Sequence, residues 1–180
     1  MNNIDWKSLP FGYFKTDCNV RCYYRNGKRG ELEYTDSEEI TIHMAATCLH
    51  YGQEAFEGMK AFRGVDGKIR LFRPYENAKR LIRSAEGVMM APVPEEMFVK
   101  ACVEVVKRNE RFVPPAGSGA SLYLRPLLIG TGAQVGVKPA NEYLFVVFAG
   151  PVGPYFKEGF KPVQIQIVED ADRAAPLGTG

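Results

Sequence analysis

The 180-residue chain is 46% apolar and 24% charged, a balance that is typical of a globular protein and excludes extensive disorder. Its formal net charge of +2 is too small to indicate binding to nucleic acid or to a membrane surface. The N-terminus lacks the pattern of a signal peptide, and the longest apolar run, residues 144–149, is too short to cross a bilayer. This length accommodates one domain, or one domain and the start of a second.

Two β-hairpins are predicted in the first half of the chain. Residues 19–24 and 30–35 flank Asn26-Gly27, a dipeptide that suits a tight turn with positive φ. Residues 58–63 and 68–72 flank a loop that ends in Asp-Gly and has room for a bulge.

Two helices are predicted to follow. Pro74 suits the first position of a helix, because its fixed φ is already helical. The apolar stripe of this helix, at helical spacing, consists of Tyr75, Ala78, Leu81, Ile82 and Ala85. The second helix covers about residues 94–109 and carries Glu95 and Glu96 in its favourable first turn. Its apolar face consists of Phe98, Ala101, Cys102, Val105 and Val106.

Residues 121–129 and 142–149 then have the composition of strands. Strands and helices are mixed without regular alternation, which predicts an α+β fold: a mainly antiparallel sheet with helices packed on one side. We expect residues 1–149 to form a small N-terminal α+β domain, residues 150–160 an interdomain linker, and residues 161–180 the first strand of a larger domain. That last strand is predicted at residues 163–168.

Four cysteines, at positions 18, 22, 48 and 102, have only His43 and His50 as companions of the metal-binding type. Cys18 and Cys22 would share one strand face, which leaves a zinc or disulfide role open, but no second ligand pair follows. We therefore expect free, buried or half-buried thiols, no metal site, and a reducing, cytoplasmic location.

Residues 50–63 carry aromatic, glycine and ionisable residues at a high density. Tyr51 and Phe56 offer apolar surface, and the Tyr51 hydroxyl adds a polar group. Gly52 and Gly58 permit close backbone approach or unusual dihedral angles. Taken alone, these residues fit either a bent core strand or the wall of a pocket.

Other candidate residues are ionisable. Glu54 and Glu57 have the chemistry of acid–base groups, but no adjacent partner specifies that role, so solvated or capping carboxylates are expected. Arg80 lies off the apolar stripe of its helix, where a solvated arginine is common. Tyr123 and Arg125 share one face of a strand, which favours a binding face or surface pairing with carboxylates about equally.

Several short motifs follow one another along the chain: LHYG at 49–52, FEGMKA at 56–61, RLFRP at 70–74, NAKRL at 77–81, SLYLRP at 121–126 and GPVGPYF at 150–156. Taken in order, they resemble the branched-chain amino-acid aminotransferases, pyridoxal-phosphate enzymes of fold type IV. A series of motifs in order is a stronger signal than any one of them. The resemblance covers roughly residues 10–180 and implies the small N-terminal domain of the D-amino-acid aminotransferase-like fold.

The resemblance assigns roles to particular residues. It implies that Arg80 binds the phosphate of pyridoxal 5'-phosphate, and that Arg173 lies close to the same cofactor. It implies that Arg125 meets the side-chain carboxylate of glutamate while an apolar wall accepts branched side chains. The substrate-binding residues would be Tyr51, Phe56, Gly58, Tyr123, Arg125 and Tyr155.

The implied reaction transfers the amino group of Leu, Ile or Val to 2-oxoglutarate, in a homodimer whose pockets are partly shared between subunits. The family's Schiff-base lysine follows the segment that matches Gly178-Thr179-Gly180 within a few residues. We therefore expect a fragment without a catalytic residue of its own, without transaminase activity and without a covalent cofactor. Two alternatives stay open: a D-amino-acid aminotransferase or aminodeoxychorismate lyase of the same fold group, and a non-catalytic self-association module.

Overall fold

The computed structural model describes residues 4–156, 159 and 161–172. Within them an antiparallel sheet is accompanied by helices α1, Thr47–Tyr51, α2, Pro74–Gly87, and α3, Glu95–Arg108. A single 3-10 turn, Glu110–Phe112, follows α3. The strands are β1, Asn19–Arg25; β2, Lys28–Arg29; β3, Glu33–Thr35; β4, Glu54–Phe56; β5, Met59–Arg63; β6, Ile69–Leu71; β7, Ser121–Gly130; and β8, Tyr143–Val152.

The strand order is β2-β1-β8-β7-β5-β6, with β3 added beside β1 and β4 beside β7. All of these pairings are antiparallel, and the longest joins β7 to β8 from Ser121 opposite Val152 to Gly130 opposite Tyr143. The predicted α+β fold with a mainly antiparallel sheet is therefore confirmed.

Local turn chemistry explains both predicted hairpins. Asn26 and Gly27 have φ values of 52° and 73°, the positive pair that a two-residue turn between twisted strands requires. The turn between β5 and β6 has Gly67 at φ 77°, a conformation that costs other residues more. Both hairpins are present as predicted.

The main core lies between one face of the sheet and the helices α2 and α3. The predicted apolar face of α3 is fully confirmed, with Phe98 and Val105 completely buried. The stripe of α2 is confirmed at Ala78, Leu81 and Ala85. Tyr75 departs from that stripe: it is 41% exposed, because its hydroxyl donates a hydrogen bond to Glu96 at the surface.

Two features near the end of the described chain differ from what the sequence pattern predicts. Strand β8 continues to Val152, so Gly150 and Pro151, at the start of the expected linker, belong to the sheet. Proline is tolerated there because β1 pairs with β8 only as far as Val147, which leaves the end of β8 with one neighbour. Residues 163–168 form no strand and are exposed, since no described strand pairs with them. The division into domains stays a prediction.

The four cysteines are unpaired, with Cys22 and Cys102 buried and Cys18 and Cys48 half-buried. Burial raises the pKa of the Cys102 thiol to about 12. The described residues contain no cluster of three or more His, Cys, Asp or Glu side chains that could hold a metal ion. No helix in the described part of the chain combines the length and apolar character needed to cross a membrane.

Candidate active site

The site begins where the chain passes from β4 to β5. Strand β4 pairs with residues Leu127–Ile129 of β7, and β5 pairs with Leu122–Leu124 of the same strand. Between them the Glu57 N–H donates to the Pro126 carbonyl at 2.8 Å. The Glu57 side chain is thereby turned inward and is only 4% exposed. The expectation of a solvated or capping carboxylate was wrong, because the residue lies at a junction of two strands.

A bidentate ion pair joins Glu57 to Arg80 on α2. Arg80 Nε lies 2.6 Å from Oε1 and Nη2 lies 2.6 Å from Oε2. Asn77, one turn earlier on the helix, donates to Oε2 at 2.9 Å and to the Gly58 carbonyl at 3.3 Å. Hydrogen bonding to Glu57 raises the pKa of the Arg80 guanidinium. The pair is asymmetric, since the Arg80 side chain is 57% exposed and that of Glu57 is buried.

Tyr123 and Arg125 lie on the face of β7 that points away from the main core, as the strand alternation predicted. Arg125 Nε donates to the Tyr123 hydroxyl at 3.0 Å, and its guanidinium stacks 4.3 Å from the centre of the Phe56 ring. Gly58 lies against Tyr123 so closely that a Cβ at this position would be 2.7 Å from the hydroxyl. Four predicted residues therefore meet at one place.

Aromatic rings extend this group toward the end of β8. The Phe11 ring contacts Tyr123 edge-on at 5.3 Å and Tyr155 at 5.5 Å between centroids. Sequence reasoning missed Phe11, whose visible signal was an aromatic cluster in an N-terminal segment without regular structure. The segment is held in place because the Gly153 N–H donates to the Pro10 carbonyl at 3.3 Å.

An open cavity of about 350 Å³ adjoins these residues. The cavity lies at the start of α2 and along β5. Asn77 connects it to the Glu57–Arg80 ion pair, and Tyr123 connects it to Arg125 and the aromatic rings. The residues that line it are Gly58, Met59, Lys60, Phe62, Phe72, Asn77 and Tyr123. The carboxylate network and the aromatic group therefore lie beside the same space.

Two predicted residues are placed differently. The Tyr51 hydroxyl donates to the Val135 carbonyl, and its ring lines a separate cavity of about 340 Å³ with Gln53 and Met89. Tyr51 is thus not in the group formed by Tyr123, Arg125 and Phe56. Arg173 lies outside the described residues.

No protein-family model matches the chain. Over its whole length the chain is 51% identical to the branched-chain-amino-acid aminotransferase of Haemophilus influenzae and 50% identical to that of Helicobacter pylori strain J99. Over its whole length the chain is thus similar to branched-chain aminotransferases. It spans about half the length of these curated relatives, covering 52% and 53% of them.

Solved structures of the family support the same assignment. The branched-chain aminotransferase of the thermophilic archaeon Thermoproteus uzoniensis, determined with norvaline, is 26% identical and aligns with a TM-score of 0.56. The alignment covers 77% of this chain and 43% of that enzyme. A second family structure, determined with pyridoxamine 5'-phosphate, is 29% identical, with a TM-score of 0.60 over 81% of this chain and 43% of its own.

The architecture of the present chain thus matches the small N-terminal domain of fold-type IV aminotransferases. The resemblance found in the sequence motifs is confirmed at the level of the family.

Proposed function

We propose that this chain provides the small-domain part of the active site of a pyridoxal-phosphate-dependent branched-chain aminotransferase. The reaction is the transfer of an amino group from Leu, Ile or Val to 2-oxoglutarate. The observation that carries the proposal is the meeting of Phe56, Gly58, Tyr123 and Arg125 beside one cavity, in a chain 51% identical to such an enzyme.

The residues present fit a phosphate monoester. Glu57 engages Nε and Nη2 of Arg80 and leaves Nη1 without a hydrogen bond to any described residue. A guanidinium offers two parallel N–H groups on each edge, and such a pair matches two phosphate oxygens. We propose that Arg80 binds the cofactor phosphate and that Arg173 contributes nearby. When bound, pyridoxal phosphate supplies an electron sink for the carbanion formed at the substrate α-carbon.

The aromatic rings suit an apolar branched side chain. Phe56 and Tyr155 are exposed, so they offer uncovered apolar surface to a ligand. Gly58 leaves room where a side chain would meet Tyr123. Burial of a Leu, Ile or Val side chain against this surface favours binding through the hydrophobic effect.

Arg125 suits the acidic co-substrate. Its guanidinium is held by the Tyr123 hydroxyl on one side and by the Phe56 ring on the other, so it is oriented before a ligand arrives. We propose that Arg125 pairs with the side-chain carboxylate of glutamate or 2-oxoglutarate, so that this charge is not buried without a partner. One pocket can then accept both an apolar and an acidic substrate.

We propose further that the protein acts as a homodimer. Val135 and Val137 are 88% and 90% exposed at the tip of the loop that carries the Tyr51 contact, and a second copy would cover them.

The cofactor part of the proposal is tested by titrating the chain with pyridoxamine 5'-phosphate and following backbone amide signals by NMR. Binding should shift signals of residues around the cavity, and the variant Arg80→Gln should weaken it. Equal affinity in the two proteins, or no binding to either, would contradict the role of Arg80.

The substrate part is tested with two 2-oxo acids. Binding of 2-oxoglutarate should weaken in Arg125→Met, while binding of 4-methyl-2-oxopentanoate should be kept. A variant that loses both ligands equally, or neither, would contradict the assignment of Arg125 to the side-chain carboxylate.

A further inference from the structure

We propose that Glu57 is a positioning residue for Arg80. Its buried carboxylate holds one edge of the guanidinium so that the other edge stays oriented as a fork for a phosphate group. The inference rests on the proposed function and adds to it a residue for which the sequence motifs predicted no role in the site.

Glu57 is fixed independently of its ion pair. Its backbone N–H is bonded to Pro126, and the strands on either side, β4 and β5, both pair with β7. The side chain accepts three hydrogen bonds, two from Arg80 and one from Asn77. A buried carboxylate is costly without such partners. Glu57 therefore serves as a rigid anchor whose position is set by the sheet.

Arg80 has the opposite character. It projects from α2, its side chain is mostly exposed, and the Glu57 carboxylate is its hydrogen-bond partner among the described residues. An arginine in that setting samples many rotamers unless a partner restrains it. The side-on contact through Nε and Nη2 restrains χ angles along the whole side chain and leaves Nη1 and the outer hydrogen of Nη2 available.

Charge and orientation make opposite contributions to anion binding. The negative charge of Glu57 offsets that of Arg80 and by itself weakens attraction for a phosphate. Restraint of the guanidinium lowers the ordering cost of binding and strengthens it. Glu57→Gln removes both effects, because an amide NH₂ cannot accept from one half of the fork. The sign of the change in Kd therefore separates a positioning role from simple charge neutralisation.

The experiment uses the chain labelled at its arginine nitrogens and follows the Arg80 Nε–Hε signal by NMR. Before any ligand is added, this signal should exchange slowly with water in the wild type and rapidly in Glu57→Gln. Titration with inorganic phosphate and with pyridoxamine 5'-phosphate should then give a Kd roughly 3- to 10-fold higher in Glu57→Gln, the effect of leaving one long side chain unrestrained.

A matched control is provided by Asp17 and Arg111. Their surface pair has the same side-on geometry, with Nε at 2.6 Å from Oδ2 and Nη2 at 2.5 Å from Oδ1. Asp17→Asn should release Arg111 and leave both Kd values unchanged. Glu57→Asp keeps the charge but withdraws the carboxylate by one methylene, and it should weaken binding as Glu57→Gln does. If Glu57→Gln fails to fold, the Kd of Glu57→Asp tests the positioning role instead.

The outcomes are distinct. An unchanged or lower Kd in Glu57→Gln, with binding that still depends on Arg80, overturns the positioning role and leaves the phosphate role of Arg80 intact. Full wild-type affinity in Glu57→Asp overturns it as well. If the wild type and Arg80→Gln bind equally, or neither binds, the proposed cofactor role fails and the positioning role fails with it.

Discussion

Replacing Gly58 with alanine tests the close approach on which the geometry of the site depends. The added Cβ would lie 2.7 Å from the Tyr123 hydroxyl, and 3.2 Å and 3.3 Å from Cε2 and Cζ of the same ring. The φ of Gly58 is not positive, so the backbone accepts alanine and the steric contact alone makes the difference. Tyr123 has to move by several tenths of an ångström.

That movement is resisted from two directions. The hydroxyl accepts a hydrogen bond from Arg125 Nε, and the ring packs edge-on against Phe11. Overpacking of a restrained site costs about 1–3 kcal/mol, and the clash here is with the outer end of one side chain. We therefore expect the free energy of unfolding to fall by about 1 kcal/mol in Gly58→Ala, measured by equilibrium urea denaturation.

Two further variants isolate the cause. Gly136→Ala adds a Cβ that meets nothing within 4 Å, at a φ that is also not positive, so its stability should stay within about 0.5 kcal/mol of the wild type. Tyr123→Phe removes the atom at 2.7 Å, so the double variant should cost less than the sum of the single ones. Additive costs, or Gly58→Ala as stable as Gly136→Ala, would refute the reasoning.

Two other predictions concern buried groups away from the site. Asn109→Ala should lower the free energy of unfolding by about 3 kcal/mol in urea denaturation, because the buried amide accepts from the N–H groups of Asp17 and Cys18 and donates to the carbonyls of Cys18 and Val105. A loss below about 1 kcal/mol would contradict that role. Burial raises the pKa of the Cys102 thiol from 9.0 to about 12. At pH values below the pKa of the unfolded chain, the neutral thiol therefore favours the folded state. That contribution is lost as pH rises toward 12, so wild-type stability should fall more steeply than that of Cys102→Ala over this range, and parallel curves would refute it.

The elements set by local chemistry could be predicted from the sequence. Asn26-Gly27 predicted a turn with two positive φ angles, because few dipeptides adopt them, and the structure has that turn. The apolar spacing of α3 predicted its buried face from Phe98 to Val106, because a helix repeats every few residues whatever lies around it. Tyr123 and Arg125 were predicted to share a face because strand alternation is equally local.

Features that depend on distant partners could not be predicted in this way. Phe11 contacts a tyrosine more than a hundred positions along the chain, and no local pattern specifies that pairing. Residues 163–168 alternate like a strand, but a strand also needs a neighbour, and the described sheet provides none. Glu57 is a glutamate, a residue type that is usually exposed at the surface. It is buried because two short strands on either side of it pair with β7.

The Glu57-Gly58 dipeptide consequently links the two halves of the candidate site. The Glu57 side chain reaches α2 and holds Arg80, while Gly58 lies directly against Tyr123, which in turn accepts a hydrogen bond from Arg125. A shift of this short segment would therefore change the proposed phosphate-binding arginine and the proposed substrate-binding arginine together. The sheet limits such a shift, because β4 and β5 anchor the dipeptide to the same strand that carries Tyr123 and Arg125. A rigid strand thus fixes both groups relative to each other, which is what a site that must align a cofactor with a substrate requires.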